Sequence, residues 1–164
     1  MAAAAPKLGL EMSIGSTAFA DCPRLARDAE ERGYASIWVP EVSGPDAFVT
    51  LATIAQSTTK ADLATGIVPI QLRTPGVMAM GFLTLNELSG GRAIAGLGVS
   101  SPVIVERWHG AAYARPVTAM RECVTIMRQL FTEGRGKFEG RSIAAISAWA
   151  SNRSIRRRGF IWPR

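Results

Sequence analysis

Along residues 1–140, short apolar runs alternate with longer amphipathic stretches. LGLEMSI (8–14) is aliphatic with period-two alternation and predicts a strand. SIWVP (36–40), LATGIVPI (63–70) and RAIAGLGVS (92–100) predict three more, short and buried. The intervening stretches carry helix punctuation. Asp21-Cys22-Pro23 predicts a helix start with Asp21 as N-cap, Leu25, Ala26 and Ala29 on one face, and Gly33 as the stop. Pro45-Asp46 opens a second helix with Phe48, Leu51, Ala52 and Ala55 as its apolar stripe. Thr74-Pro75 opens a third, which ends at Ser89-Gly90-Gly91. Arg115-Pro116 begins a fourth, with Met120, Cys123, Val124, Met127, Leu130 and Phe131 inward and Gly134 at its end.

The predicted strands start near Leu8, Ser36, Leu63 and Arg92, at intervals of 28, 27 and 29 residues. Regular strand–helix alternation of this kind means parallel strands joined by crossover helices. A (β/α)₈ barrel and an open doubly wound sheet both satisfy it, and a full barrel would need twice the four units present. In either architecture the chemistry gathers at the C-terminal strand ends. Here those are Ser13–Gly15, Pro40–Val42, Gly66–Pro69 and Gly98–Ser101.

Composition changes this picture at one place. The chain has 164 residues, a net charge of +6 and 48% hydrophobic residues. Residues 1–140 are neutral, with 13 basic and 13 acidic side chains, so all the excess charge lies in six arginines of residues 141–164. The folded body therefore offers no electrostatic case for nucleic acid. No apolar run suits a membrane span or a signal peptide, and Cys22 and Cys123 read as small buried hydrophobes. Together these lead to the expectation of a cytoplasmic protein without membrane or nucleic-acid partners.

Few residues carry candidate chemistry. Glu41 and Asp46 flank the VSGP turn, as acid/base or ligand-accepting groups or simply as helix-dipole partners. Gly66 within a strand suggests a bulge or a close approach of ligand to backbone. GLGVSSP (96–102) presents backbone amides beside Ser100 and Ser101 but is no dinucleotide fingerprint, since no helix is expected at once. His109, the only histidine, lacks triad partners and reads as a structural loop residue. No Cys/His cluster suggests a metal.

Several segments together resemble the luciferase-like flavin and deazaflavin oxidoreductases. They are RDAEERGYASIWVPE, PDAFVTLATIAQSTTKADLATGIVPI, RTPGVMAMGFLTLNELSGGRAIAGLGVSSP, ERWHG and RPVTAMRECVTIMRQLFTEG. The run LNELSGGRAIAGLGVSSPVIVERWHG is most similar to the branch that uses the deazaflavin coenzyme F-420. The resemblance implies an α/β fold: the N-terminal half of a (β/α)₈ barrel, about four βα units with parallel strands, over residues 8–140. It implies hydride transfer between coenzyme F-420 and a small organic substrate, with FMN as the alternative cofactor. Gly66 and Ile67 match a third-strand bulge that often holds a non-proline cis peptide behind the coenzyme ring. Gly98, Val99 and Ser100 match the fourth strand end that lines the ring, and Glu41 matches an acidic position near it. Many relatives follow that acid with histidine, whereas Val42 stands here, so no catalytic residue is assigned.

The same resemblance leads to the expectation of a truncated chain. Residues 1–7 are expected to be disordered, and 141–164 to be a disordered basic tail. Read one base out of frame, the codons for Trp149-Ala150 and Trp162-Pro163 must give glycine and alanine, where the family's next strings place them. A frameshift near Ser142–Ile143 accounts for this. The expected alternatives are thus an inactive fragment, or one that needs a partner such as a second copy joined through exposed strand edges.

Overall fold

The computed structural model describes residues 7–12 and 18–148. The four predicted helices form: α1 (Cys22–Glu31), α2 (Ala47–Ala55), α3 (Pro75–Leu88) and α4 (Pro116–Glu133). So do the first two strands, β1 (Gly9–Glu11) and β2 (Ser36–Val39). The third and fourth runs are each cut in two. β3 (Asp62–Thr65) and β4 (Val68–Pro69) flank Gly66-Ile67, while β5 (Ala93–Ile94) and β6 (Leu97–Gly98) flank Ala95-Gly96.

Two compact units account for the described residues. One takes the residues up to Ile67 together with Leu85–Gly96. The other takes Val68–Thr84 and the chain from Leu97 on.

The first unit is built on a four-stranded parallel sheet in the order β1-β2-β3-β5. Leu10 pairs with Ile37, Ile37 with Leu63, and Leu63 with Ala93, so one pleat face is continuous and aliphatic. Ile37, Leu63 and Ala93 are fully buried, as are Ala26 of α1 and Leu51 and Ile54 of α2. Asp46 caps α2, accepting from the Val49 amide at 3.0 Å. The buried stripe of α2 is Ala47, Thr50, Leu51, Ile54 and Ala55; Phe48 and Ala52, expected inward, are half-buried. Thr50 can take an inward place because its hydroxyl donates to the Asp46 carbonyl at 2.8 Å.

Asp21 does not cap α1. A 3₁₀ turn, Phe19–Asp21, runs straight into the helix, so Asp21 has helical angles and its carboxylate makes no cap bond. It accepts instead from Arg24 at 3.4 Å, an exposed pair of little energetic weight.

At the strands' N-terminal ends, the loop between α2 and β3 is held from two sides. Its donors go to Glu30: the amides of Thr59, Lys60 and Ala61 reach the carboxylate at 3.0, 2.6 and 2.7 Å. Its acceptors go to Arg92, which donates to Ala61 O at 2.6 Å, Thr58 O at 3.0 Å and Thr58 Oγ1 at 3.1 Å. Burial by itself would raise the Glu30 carboxyl, but the amides of Ala61, Thr59 and Lys60 and the Thr59 hydroxyl hold it below the usual range.

In the second unit β4 pairs in parallel with β6, Val68 opposite Leu97 and Pro69 opposite Gly98. α4 starts after Arg115, which has φ 46°, and stops at Gly134, φ 66°. Its buried face is Ala119, Glu122, Cys123, Ile126, Met127 and Leu130. Met120, Val124 and Phe131, expected inward, are half-buried. The stripe is displaced because Glu122, the one carboxylate on it, has partners inside. Its oxygens accept from the amides of Arg141, Ser142 and Ile143 at 2.8, 2.9 and 2.8 Å.

Those amides belong to the turn of an antiparallel hairpin, β7 (Arg135–Glu139) with β8 (Ala144–Ala148). Residues 144–148, expected within an irregular tail, are therefore a strand, because the Glu122 carboxylate orders the turn before them. Residues 1–6, the strand end Ser13–Gly15 and the tail from Trp149 lie outside the described residues.

Burial would raise the Glu122 carboxyl, but the three amides and the Arg141 charge bring it below the ordinary value of 4.5. A depressed carboxylate contributes its stability in full above 4.5 and loses it as pH falls through the lower folded value. Hydrogen-exchange protection of the Arg141–Ile143 amides is thus expected to drop on acidification below about pH 4.5. Glu122→Gln should lower that protection at neutral pH and remove its pH dependence. Protection unaffected by either change would contradict the role given to Glu122.

Candidate functional site

The C-terminal ends of β2 and β3 are laced together. The Gly66 amide donates to Val39 O at 2.8 Å, and the Glu41 amide donates to Ile67 O at 3.1 Å. Glu41, Gly66 and Ile67 are thereby neighbours at one strand mouth, all half-buried. The peptide between Gly66 and Ile67 is cis. A Cβ on Gly66 would stand 3.3 Å from the Cβ of Trp38, whose indole nitrogen donates to Ser36 Oγ at 2.8 Å. The Glu41 carboxylate is engaged at the start of α2, where Oε2 accepts from the Ala47 amide at 3.2 Å. Glu41 thus serves the positive end of α2, beside the Asp46 cap.

Gly98, Val99 and Ser100 follow β6 in the second unit and are half-buried. The Ile70 amide donates to Gly98 O at 3.0 Å, which continues the β4–β6 ladder one step. Ser100 has φ 55°, a left-handed conformation that non-glycine residues seldom adopt and that is enriched at ligand-binding turns. After Ser101 and Pro102 the chain enters a π-helical turn, Val103–Trp108, where a plain loop was expected. Ser101 anchors it, its carbonyl accepting from the Val105 amide at 2.9 Å and its hydroxyl from Ile104 at 3.4 Å. His109 closes the turn on the exposed side, its amide donating to Ile104 O at 3.2 Å.

Gln71, just past β4, escaped the sequence reading because it follows the last residue of an apolar run and looks like ordinary loop. Its Nε2 and Oε1 are both shielded from solvent and have no hydrogen-bond partner. Neither cysteine suits nucleophilic chemistry. Burial pushes the Cys123 thiol up to about 12, and burial together with the Asp21 charge raises Cys22. Among the described residues, no group of three or more His, Cys, Asp or Glu could hold a metal ion, and no helix is long and apolar enough to cross a membrane.

Residues 3–160 match the family described as Luciferase-like monooxygenase. The chain belongs to that family. A Mycobacterium tuberculosis protein named as a coenzyme F-420-dependent oxidoreductase is 39% identical over 126 residues, 76% of this chain and 36% of that one. The solved coenzyme F-420-dependent tetrahydromethanopterin reductase of Methanopyrus kandleri superposes with a TM-score of 0.81 at 24% identity. That likeness covers 92% of this chain and 47% of the reductase. The FMN complex of the oxygenating constituent of 3,6-diketocamphane monooxygenase, from Pseudomonas putida, gives 0.74 at 21% identity, over 87% and 44%.

This member of the luciferase-like family thus spans between about a third and just under half of the length of these relatives. Its fold class is the expected one, about four parallel βα units corresponding to the N-terminal half of a (β/α)₈ barrel.

Proposed function

We propose that this chain provides the coenzyme-facing N-terminal half of a coenzyme F-420-dependent oxidoreductase acting on a small organic substrate. The observation that carries this reading is the 39% identity to the F-420-dependent relative, across 76% of the chain. The residues present fit such a group. Gly66 offers backbone without a side chain at a strand mouth, Ser100 is held in a strained turn, and Gln71 carries an orphaned amide. When bound, the coenzyme supplies the two-electron hydride chemistry.

The chain's own residues bind and orient. Gly66 and Ile67 provide a backbone platform, kept in place by Val39 and Glu41. In the second unit, Gly98, Val99 and Ser100 provide amides and a hydroxyl for polar ligand atoms. Glu41 fixes the start of α2 and thereby the turn that follows β2. No residue is assigned a proton-transfer role. FMN is the second candidate, supported by the likeness to the FMN-bound monooxygenase constituent. The cytoplasmic location is retained on the strength of two unpaired, buried cysteines. The outer strands of the sheet, β1 and β5, are the edges through which a homo-oligomer would form.

Titrating the purified chain with oxidised coenzyme F-420 and separately with FMN, followed by absorbance and fluorescence, tests the reading. Saturable binding, tighter for F-420, is expected. Preference for FMN would move the chain to the flavin branch, and binding of neither would overturn the proposal.

A further inference from the structure

Among the described residues, three side-chain amides have buried polar atoms without a partner. In Asn86 and Gln129 only the oxygen is left over, whereas Gln71 lacks a partner for both Nε2 and Oε1. Native folds pair nearly all such atoms, and each exception calls for a reason. A primary amide with both ends unmet is complemented by a group that presents an acceptor and a donor side by side.

The position of Gln71 narrows what that group is. β4 and β6 pair through Pro69 and Gly98, and Gln71 and Ser100 each lie two residues beyond that pair. The ladder is still joined at Ile70, whose amide reaches Gly98 O at 3.0 Å. The orphaned amide and the left-handed Ser100 therefore emerge from adjacent strand ends of one unit. Unmet hydrogen bonding and backbone strain both mark places where a fold gives up stability for a ligand.

We propose that Gln71 is a coenzyme-recognition residue whose Nε2 and Oε1 pair with the carbonyl and N–H of the coenzyme's pyrimidine-dione edge. The inference rests on the coenzyme reading above. It assigns a specificity role to a residue that takes no part in hydride transfer. Flavins share the same imide edge, so Gln71 selects this edge and does not discriminate F-420 from FMN.

The prediction has two signs. Gln71→Met keeps the volume and removes both unmet polar atoms. The unliganded 164-residue chain should melt at the same temperature as the parent or higher. The same variant should bind coenzyme F-420 roughly tenfold more weakly, the loss expected for two neutral hydrogen bonds. Gln71→Glu, which keeps the acceptor but not the donor, should also bind weakly.

A deazaflavin and its imide-N-methylated derivative complete the test. The parent chain should prefer the unmethylated ring, and Gln71→Met should bind the two alike. If the parent binds F-420 and Gln71→Met binds it equally well, the inference fails while the functional reading stands. A Gln71→Met variant that melts lower would show Gln71 to be satisfied within the fold, for instance by a buried water, and would overturn the inference. If the parent binds neither F-420 nor FMN, both the reading and the inference fall.

Discussion

Gly96→Ala is expected to destabilise the fold by roughly 2–6 kcal/mol. An alanine Cβ at this position would lie 1.8 Å from the Thr65 carbonyl oxygen and 3.0 Å from its carbon. These are backbone atoms of β3, so no rotamer change relieves the overlap, and the two strands would have to part. The contact they would lose is reciprocal: Thr65 Oγ1 donates to Gly96 O at 2.7 Å and accepts from the Gly96 amide at 3.0 Å. Overpacking costs about 1–3 kcal/mol, and two lost hydrogen bonds add about 1–3 kcal/mol. The sum, roughly 2–6 kcal/mol, is a large part of the 5–15 kcal/mol that typically stabilises a domain. Urea denaturation followed by circular dichroism checks it. Thr65→Val, which removes only the hydrogen bonds, should cost about a third to a half as much. A Gly96→Ala chain with an unchanged midpoint would show that the strands do not meet this closely.

Arg92→Ala should be nearly as damaging, for a different reason. The guanidinium donates to Ser89 O at 2.7 Å and Ala55 O at 3.3 Å, besides its bonds to Thr58 and Ala61. Removing it leaves four carbonyls and one hydroxyl without their donor in a partly buried setting. About 3 kcal/mol of destabilisation is expected, at the high end for a point substitution. Lysine should recover only part of this, since an ammonium cannot span the fork. Burial lowers the Arg92 pKa, against the raising influence of Glu30 and Asp62, yet the guanidinium stays protonated throughout the working range. Stability lost in Arg92→Lys should therefore be independent of pH near neutrality. Arg92 sits at the N-terminal ends of the strands, the end that serves stability in βα folds. Arg92→Lys is expected to keep the coenzyme affinity of the parent once folded. A selective loss of affinity in stably folded Arg92→Lys would place Arg92 at the ligand.

The period of the apolar pattern was sufficient for the βα repeat and for which segments are helices. A strand or helix must bury one face, and that demand is written locally in the spacing of apolar residues. It was less successful with which residues lie deepest. On α2 and α4 the buried stripe includes Thr50 and Glu122, polar residues admitted because a backbone carbonyl and three loop amides satisfy them. Those partners are four residues away in one case and 19 to 21 in the other. A hydropathy pattern contains no information about either.

For the candidate site, the strand ends and the glycines at 66 and 98 were legible, because glycine in a strand is costly and stands out. Glu41 was legible as a candidate but not in its actual engagement with the Ala47 amide. Gln71 was not legible at all. A glutamine past a strand is unremarkable until both ends of its amide prove to be buried and unmet.

By itself the sequence determined the chain's class, its parallel βα order and its family, since these follow from periodicity, turn residues and long matching segments. Tertiary structure decided where the third and fourth strands break, how Glu30 and Arg92 divide the donors and acceptors of one loop, and which amide is left over. Each of those is a question of hydrogen-bond satisfaction between residues far apart in the chain, and only folding brings the partners, or their absence, into view.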